Sequence, residues 1–136
     1  MSAVSGRVGV VLVSHSRQVA ESVAHMALGL AGGADVPVVP AGGTGDGGLG
    51  TSSELITEAA RRVDRGAGVA VLADLGSAVL TVRTLLAEED ELPPGTRLVD
   101  APFVEGAVAA VVTASTGADL DAVAAAATEA YGYRKA

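Results

Sequence analysis

Two short segments of this sequence consist almost entirely of valine, leucine and alanine, and they restrict the possible folds more than any other feature. They are residues 8–13 and 69–73, interrupted only by Gly9. A strand with one face in water alternates apolar and polar side chains, whereas these segments have no polar side chain. Such strands are typical of a parallel sheet that helices cover on both faces.

Helical patterns alternate with these strands and with two shorter ones. The shorter strands are predicted at residues 36–39 and 97–101, and Pro37 places the former at a sheet edge. Short strand–helix connections imply right-handed crossovers. We therefore predict an α/β fold, a single three-layer α/β/α domain over residues 1–136 with a mainly parallel four-stranded sheet in the order 2-1-3-4. Helices are expected at residues 16–30, 104–115 and 119–131, and from near Thr51 and Ser77.

Side-chain patterns predict how these helices begin and which faces they bury. Residues 51–54 have capping-box spacing, and Ser77 can cap the third helix. The buried stripe of the first helix is predicted as Val19, Val23, Met26, Ala27 and Leu30, and that of the third as Val79, Val82, Leu85 and Leu86.

Composition excludes several classes of protein. The chain has no cysteine, which rules out disulfides and thiolate chemistry. Its net charge is −7 and its aromatic content 2%, so it lacks the basic stripe and stacking rings of a nucleic-acid binder. No apolar run approaches the roughly 20 residues of a membrane span, and the first residues do not resemble a signal peptide. We expect a cytoplasmic location.

Polar residues follow each predicted strand, at the edge where α/β sheets bind ligands. The segments are residues 14–16, 50–52, 74–77 and 102–106, and three of them open helices. Backbone N–H groups and helix dipoles there favour an anion such as phosphate. His15 has the side chain of a nucleophile or acid–base group, and Asp74 is placed to orient its imidazole.

Other interpretations of these residues remain open. His15 and Asp74 are also ordinary residues for a strand end and a turn. Residues 43–48 match G-x-G-x-x-G, but they follow the second strand, so we interpret residues 42–48 as a mobile loop rather than a dinucleotide cradle. His25 is expected on the solvated face of the first helix. With two histidines and no ligand spacing, we predict no metal site.

The strand-end motifs together resemble one family, over about residues 8–131. They are Val-Ser-His-Ser at 13–16, Gly-Thr-Ser at 50–52, Asp-Leu-Gly-Ser-Ala at 74–78 and Ala-Pro-Phe-Val-Glu-Gly at 101–106. The chain resembles the mannose-type IIA family of the phosphotransferase system, and within it the dihydroxyacetone kinase branch of DhaM-type subunits. The sugar-transport branch usually carries tryptophan near the third motif, and this chain has none.

The resemblance implies a phosphoryl relay. The carrier HPr, charged from phosphoenolpyruvate through enzyme I, would phosphorylate His15, which would pass the group to ADP held on DhaL, the partner of DhaK. In this reading Asp74 orients His15, and the chain is a cytoplasmic homodimer that needs no cofactor, nucleic acid or membrane. Since the sequence stops at Ala136, fused HPr and enzyme I domains are expected to be separate proteins. The phosphoryl oxygens would be held around Ser16, Thr51, Ser52, Gly76 and Ser77.

Two other functions remain open at this point. One is a sugar-transport IIA subunit that passes the phosphoryl group to a IIB protein. The other is a non-catalytic module that binds a small anion in the same crevice.

Overall fold

Four parallel strands form the sheet of the structure, a computed structural model that describes residues 6–136. Their order is β2-β1-β3-β4, as the sequence predicts, and every neighbouring pair is parallel. The strands are β1 (Gly9–Ser14), β2 (Val38–Gly42), β3 (Val69–Ala73) and β4 (Thr96–Leu98).

Helices cover both faces of this sheet. They are α1 (Arg17–Leu30), α2 (Ser53–Val63), α3 (Gly76–Ala87), α4 (Phe103–Ser115) and α5 (Leu120–Glu129), and a 3-10 turn (Ala130–Gly132) follows α5. Alternate residues of β1 point to the two faces: Val10 and Leu12 pack with α1, α4 and α5, while Val11 and Val13 pack with α2 and α3. The molecule therefore has the predicted three α/β/α layers.

The two edge strands differ from their predicted bounds. Strand β2 begins two residues later than expected and contains Pro40, which lies opposite Leu12 in β1. An edge strand tolerates proline because one side of it needs no N–H donor. Strand β4 has only three residues, although the Val99 amide still donates to the Val71 carbonyl at 2.8 Å.

The buried face of α1 differs from the predicted stripe. Val23 and Ala27 are buried, but Val19, Met26 and Leu30 are exposed. Alanines complete the buried face, because small side chains let α1 lie close to β2 and α4. The buried residues of α1 are Ala20, Val23, Ala24 and Ala27.

Helix α3 also buries a different set of side chains from the predicted one. Val82 and Leu85 are buried as expected, whereas Val79 is half-buried and Leu86 is exposed. Ala78 is the other buried residue. As in α1, the smallest side chain faces the core and a longer apolar one reaches the surface.

The N-caps of α2 and α3 differ from the predicted ones. The N-cap of α2 is Ser52 rather than Thr51, and its hydroxyl accepts from the Leu55 amide at 3.2 Å. The N-cap of α3 is Leu75, without a side-chain bond, so Ser77 lies inside the first turn and does not cap it. Asp119 is the N-cap of α5, at the start of the predicted last helix. No helix within residues 6–136 is long and apolar enough to span a membrane.

Candidate functional site

The register of β1 and β3 brings His15 and Asp74 together at the carboxyl edge of the sheet. Val13 lies opposite Ala73, and the Asp74 amide donates to the Val13 carbonyl at 3.0 Å. Strand β1 ends at Ser14 and β3 ends at Ala73, so the next residues of the two strands, His15 and Asp74, enter the same space. The pairing of neighbouring parallel strands thus places the two residues in contact.

The Asp74 carboxylate holds both the ring and the backbone of His15. Its Oδ1 lies 3.0 Å from the His15 Nδ1, and its Oδ2 accepts from the His15 backbone N–H at 3.0 Å. The contact to Nδ1 fixes the proton on that nitrogen, which leaves the imidazole lone pair on Nε2. The predicted His–Asp pair is therefore formed.

Ser14 is part of this site, although the sequence analysis assigned it no role. It is fully buried, its hydroxyl donates to the Asp74 Oδ2 at 2.8 Å, and the Ser16 amide donates to the same hydroxyl at 3.1 Å. The sequence signal for Ser14 is a single hydroxyl at the end of an otherwise apolar, buried strand. A buried polar group needs a hydrogen-bond partner, so this hydroxyl could be expected to contact another polar residue.

The Asp74 carboxylate stays ionised because several donors surround it. Partial burial raises its pKa, but the hydrogen bonds from His15, from the Ser14 hydroxyl and from the Leu75 amide lower it more. The net result is a pKa of Asp74 below its ordinary value of 3.8. A charged carboxylate can balance positive charge that develops on the imidazole.

The Nε2 atom of His15 faces Ser77. The Ser77 hydroxyl lies 2.5 Å from Nε2, and about a quarter (24%) of the His15 side chain is exposed. With the proton on Nδ1, this hydroxyl donates to the Nε2 lone pair. Ser77, which does not cap α3, is thus available to the histidine.

A pair of threonine hydroxyls connects the segment before α2 with helix α3. The Thr51 Oγ1 lies 3.2 Å from the Thr81 Oγ1, and the Thr81 hydroxyl donates to the Ser77 carbonyl at 3.1 Å. The Gly50 amide donates to the His15 carbonyl at 2.9 Å. These bonds join the start of α2 to His15 and to the first turn of α3, and Thr81 is a further residue that the sequence analysis missed.

The other predicted phosphate-binding residues lie at helix starts around the same edge. Ser16 is the N-cap of α1, where its hydroxyl accepts from the Val19 amide at 3.2 Å. Ser52 has the same role in α2, and Gly76 is the first residue of α3. Three helix N-termini therefore border the histidine, and such ends carry partial positive charge.

A comparison with known protein families identifies the family of this chain. The family model described as the fructose IIA component of the phosphotransferase system, EIIA-man, matches residues 9–124. This chain belongs to that mannose-type IIA family. The match includes the segments that carry His15, Asp74 and Ser77.

Relatives of this IIA chain include phosphoryl donor subunits named DhaM, of PEP-dependent dihydroxyacetone kinases. One from Listeria innocua is 35% identical over 117 residues, covering 85% of this chain and 93% of the relative. One from Escherichia coli is 36% identical over 127 residues, but only 25% of its length is covered. This chain thus spans about a quarter of the longer relative.

A solved structure supports the fold of this IIA chain. It is described as a protein of unknown function, EF1359, and is 32% identical with a TM-score of 0.82. The alignment covers 96% of this chain and 98% of the other. The similarity therefore extends over nearly the whole α/β/α architecture.

The fourth predicted segment, residues 102–106, follows β4 and makes contacts other than those of the His–Asp pair. Phe103 packs against the core, and the Glu105 carboxylate pairs with Lys135, which lowers the pKa of Glu105. Among the hydrogen bonds of residues 6–136, none connects this segment with His15. Strand β4 is short and separated from β1 by β3, so its end lies one strand further away.

Several backbone amides of the glycine-rich loop donate hydrogen bonds to acceptors within the same loop. Thr44 N–H donates to the Gly48 carbonyl at 3.0 Å, and Gly47 N–H donates to the Thr44 carbonyl at 3.0 Å. The Gly48 amide donates to the side chains of Thr44 and Asp46. The hydrogen bond from the Thr44 hydroxyl to the Asp46 carboxylate, and after it the bond from the Gly48 amide, lower the pKa of Asp46. The loop is a closed turn rather than an open cradle of N–H groups.

Two remaining predictions concern His25 and metals. His25 is exposed on α1, as predicted. Within the described part of the chain, no group of three or more His, Cys, Asp or Glu side chains is placed to hold a metal ion.

Proposed function

We propose that this chain is a phosphohistidine carrier of a phosphoenolpyruvate-dependent dihydroxyacetone kinase. The observation that carries the proposal is the His15 ring, held at Nδ1 by Asp74 with Nε2 directed toward the start of α3. A nitrogen nucleophile beside an ionised carboxylate is suited to accept a phosphoryl group. The DhaM names of the relatives supply the expected pathway.

In the accepting step, the Nε2 lone pair of His15 attacks the phosphorus of phosphorylated HPr. The P–N bond to the donor histidine breaks as the bond to Nε2 forms, while the His15 proton stays on Nδ1. Positive charge develops on the His15 ring, and the Asp74 carboxylate 3.0 Å away balances it. Phosphoryl transfer depends mainly on such positioning and charge stabilisation.

The surrounding helix starts are proposed to hold the phosphoryl oxygens. Ser77 would turn its hydroxyl from Nε2 to a phosphoryl oxygen as the group arrives, and amides near Gly76 would add donors. Ser16, Thr51 and Ser52 border the same space. The phosphoryl group would then pass to ADP held on DhaL, whose partner DhaK binds dihydroxyacetone, with no cofactor on this chain.

Phosphorylation of the two histidine variants tests the site. The purified chain is incubated with phosphoenolpyruvate, enzyme I and HPr, and its intact mass is measured. Wild type is expected to gain a phosphoryl group that is labile in acid and stable in base. His15→Ala is expected to gain none. His25→Ala is the matched control and is expected to be labelled normally. A label on His25, or on His15→Ala, would contradict the proposal.

A second candidate is a sugar-transport IIA subunit, which the fructose IIA description of the family model favours. The phosphorylated chain is mixed with ADP-loaded DhaL or with a IIB protein. Loss of the label to DhaL supports the kinase, and loss only to IIB supports sugar transport. If neither the donors nor the acceptors exchange a phosphoryl group with the chain, a non-catalytic anion-binding module is the better description.

The homodimer that the family resemblance implies is also part of this proposal. Sedimentation equilibrium measures it directly. A single species with twice the chain mass is expected, and a monomer at micromolar concentration would contradict it.

A further inference from the structure

A chain of hydroxyl groups connects the segment before α2 with the Nε2 atom of His15. The Thr51 Oγ1 lies 3.2 Å from the Thr81 Oγ1, and the Thr81 hydroxyl donates to the Ser77 carbonyl at 3.1 Å. The Ser77 hydroxyl in turn lies 2.5 Å from the His15 Nε2. Because the Gly50 amide donates to the His15 carbonyl at 2.9 Å, these contacts form a closed ring that begins and ends at His15.

The direction of each hydrogen bond between the threonines follows from the number of protons. A hydroxyl has one proton to donate and lone pairs that accept. The Ser77 carbonyl can only accept, so the Thr81 proton is directed to it and the Thr81 oxygen is left as an acceptor. Thr51 therefore donates its own proton to Thr81. No proton of the Thr51 hydroxyl then remains for a phosphoryl oxygen.

The first turn of α3 has no side-chain cap, so its position depends on contacts such as the one with Thr81. Leu75 is the N-cap and makes no side-chain bond, and Ser77 is exposed. By contrast, the N-caps of α1, α2 and α5 each accept a hydrogen bond through a side chain. Thr51 and Thr81 are both half-buried, where water weakens a hydrogen bond less than at the open surface.

We propose that Thr81 is a positioning residue for phosphoryl transfer, and that Thr51 acts through Thr81 rather than by binding the phosphoryl group. The inference rests on the proposed function. The two residues form a threonine brace, which holds the main chain of Ser77 in place relative to His15. The brace joins α3 to the same segment that the Gly50 amide ties to the His15 carbonyl.

Phosphoryl transfer requires the Ser77 hydroxyl to change its acceptor. In the free protein it donates to the Nε2 lone pair, and the same lone pair has to attack phosphorus. As the P–N bond to the donor breaks and the bond to Nε2 forms, the hydroxyl keeps its proton and rotates toward a phosphoryl oxygen. A fixed main chain lets this rotation alone bring the hydroxyl to that oxygen. Since a displacement of about 1 Å can cost about 100-fold in rate, the brace acts on the transfer step and not on the docking of a donor.

The experiment removes the Thr81 hydroxyl and then restores it. Thr81→Val has a similar shape without the hydroxyl, and Thr81→Ser restores the hydroxyl. Thr84→Val is the matched control, because the Thr84 hydroxyl donates to the Leu80 carbonyl at 2.9 Å in the same helical pattern but at an exposed position. Each variant is labelled with phosphorylated HPr at several concentrations. A second donor is potassium phosphoramidate, a small reagent that gives its phosphoryl group to an imidazole nitrogen and releases ammonia.

We expect Thr81→Val to lower kcat with phosphorylated HPr about tenfold at a nearly unchanged KM, and to slow labelling by phosphoramidate by the same factor. Thr81→Ser and Thr84→Val should be labelled close to the wild-type rate. In Thr81→Val, the nitrogen NMR signal of the His15 Nε2 should move toward its position in Ser77→Ala, which lacks the hydroxyl. Wild-type rates or an unmoved signal for Thr81→Val would overturn the proposal. So would a failure of Thr81→Ser to restore the rate, or an equal loss in Thr84→Val.

A double variant separates the two possible roles of Thr51. If Thr51 acts through Thr81, then Thr51→Val and the double variant with Thr81→Val should be slowed by the same factor as Thr81→Val alone. Losses that multiply in the double variant would mean that Thr51 contacts the phosphoryl group directly, and would overturn its place in the brace. If phosphorylated HPr does not label wild type, the proposed function fails. The rates with phosphoramidate and the Nε2 signal then still decide whether the brace positions Ser77.

Discussion

At the scale of single residues, the Asp74 carboxylate organises the site. It accepts hydrogen bonds from the His15 ring and backbone, from the Ser14 hydroxyl and from the Leu75 amide. These donors come from two strand ends, so the carboxylate fastens β1 to β3 as well as orienting the imidazole. The same bonds that lower the pKa of Asp74 therefore also stabilise the fold.

Asp74→Asn separates the two roles of this side chain. The amide has a similar shape and can still bond, so the fold should persist. It carries no charge and can bind the wrong tautomer of His15, so phosphoryl acceptance from HPr should slow by about 10- to 100-fold. Rapid-quench labelling measures the rate, and circular dichroism monitors the fold. A wild-type rate would mean that Asp74 is only a turn residue.

Ser14→Ala tests the buried hydroxyl through the pH dependence of stability. Because the pKa of Asp74 is lowered in the folded state, its contribution is present above pH 3.8 and is lost as the pH falls through the lowered pKa. The variant should lower the free energy of unfolding at pH 7 by about 1–3 kcal/mol. That deficit should shrink as the pH falls below 3.8, because the unfolded chain takes up the proton first and the folded carboxyl follows at its lowered pKa.

Urea unfolding at pH 7 and pH 3 measures this deficit. Ser53→Ala, an exposed position in the first turn of α2, is the control and should have nearly wild-type stability at both values. An equal loss for Ser14→Ala at both pH values would show that packing, and not the bond to Asp74, accounts for it.

At the scale of secondary-structure elements, the contact between β2 and the start of α1 positions the histidine loop. Gly42, the last residue of β2, lies so close to α1 that a Cβ would stand 2.5 Å from the Ser16 carbonyl oxygen and 2.8 Å from the Ala20 Cβ. The Gly43 amide donates to the Ser14 carbonyl at 3.1 Å. The glycine permits an approach that fixes the segment on either side of His15.

Gly42→Ala should therefore disturb both stability and function. The added methyl group has to displace the backbone of α1, which should lower the free energy of unfolding by about 1–3 kcal/mol and slow His15 labelling. Gly45→Ala is the matched control, because nothing lies within 4 Å of its Cβ position. Urea unfolding measures the stability of both variants. Equal stability would mean that the close approach of Gly42 to α1 does not restrict the side chain at this position.

At the scale of the whole molecule, the closed glycine-rich turn predicts that this chain does not bind nucleotide by itself. ADP would then stay on the partner protein. The amides of Thr44, Gly47 and Gly48 are already bonded within the loop and are not free for phosphates. Calorimetry with ADP or ATP should detect no binding to the isolated chain at micromolar concentrations. Micromolar binding would restore the dinucleotide-cradle interpretation of residues 43–48.

The sequence by itself determined the layers, the strand order and the histidine–aspartate pair. Short apolar runs rich in valine and leucine favour strands buried on both faces, and adjacent parallel strands end at one edge, which predicts that His15 and Asp74 lie close together. The buried faces of α1 and α3 were predicted less well, because periodicity does not distinguish an apolar residue at the surface from one in the core.

Only the tertiary structure decided which hydroxyl meets which atom. Ser77 reaches the His15 Nε2 because α3 begins one residue after Leu75, and Ser14 reaches Asp74 because both are at the end of paired strands. Thr51, just before α2, contacts Thr81 of α3, although the two residues are 30 positions apart in the chain. Hydrogen bonds are short and directional, so these contacts depend on helix starts and packing distances that local sequence patterns do not specify.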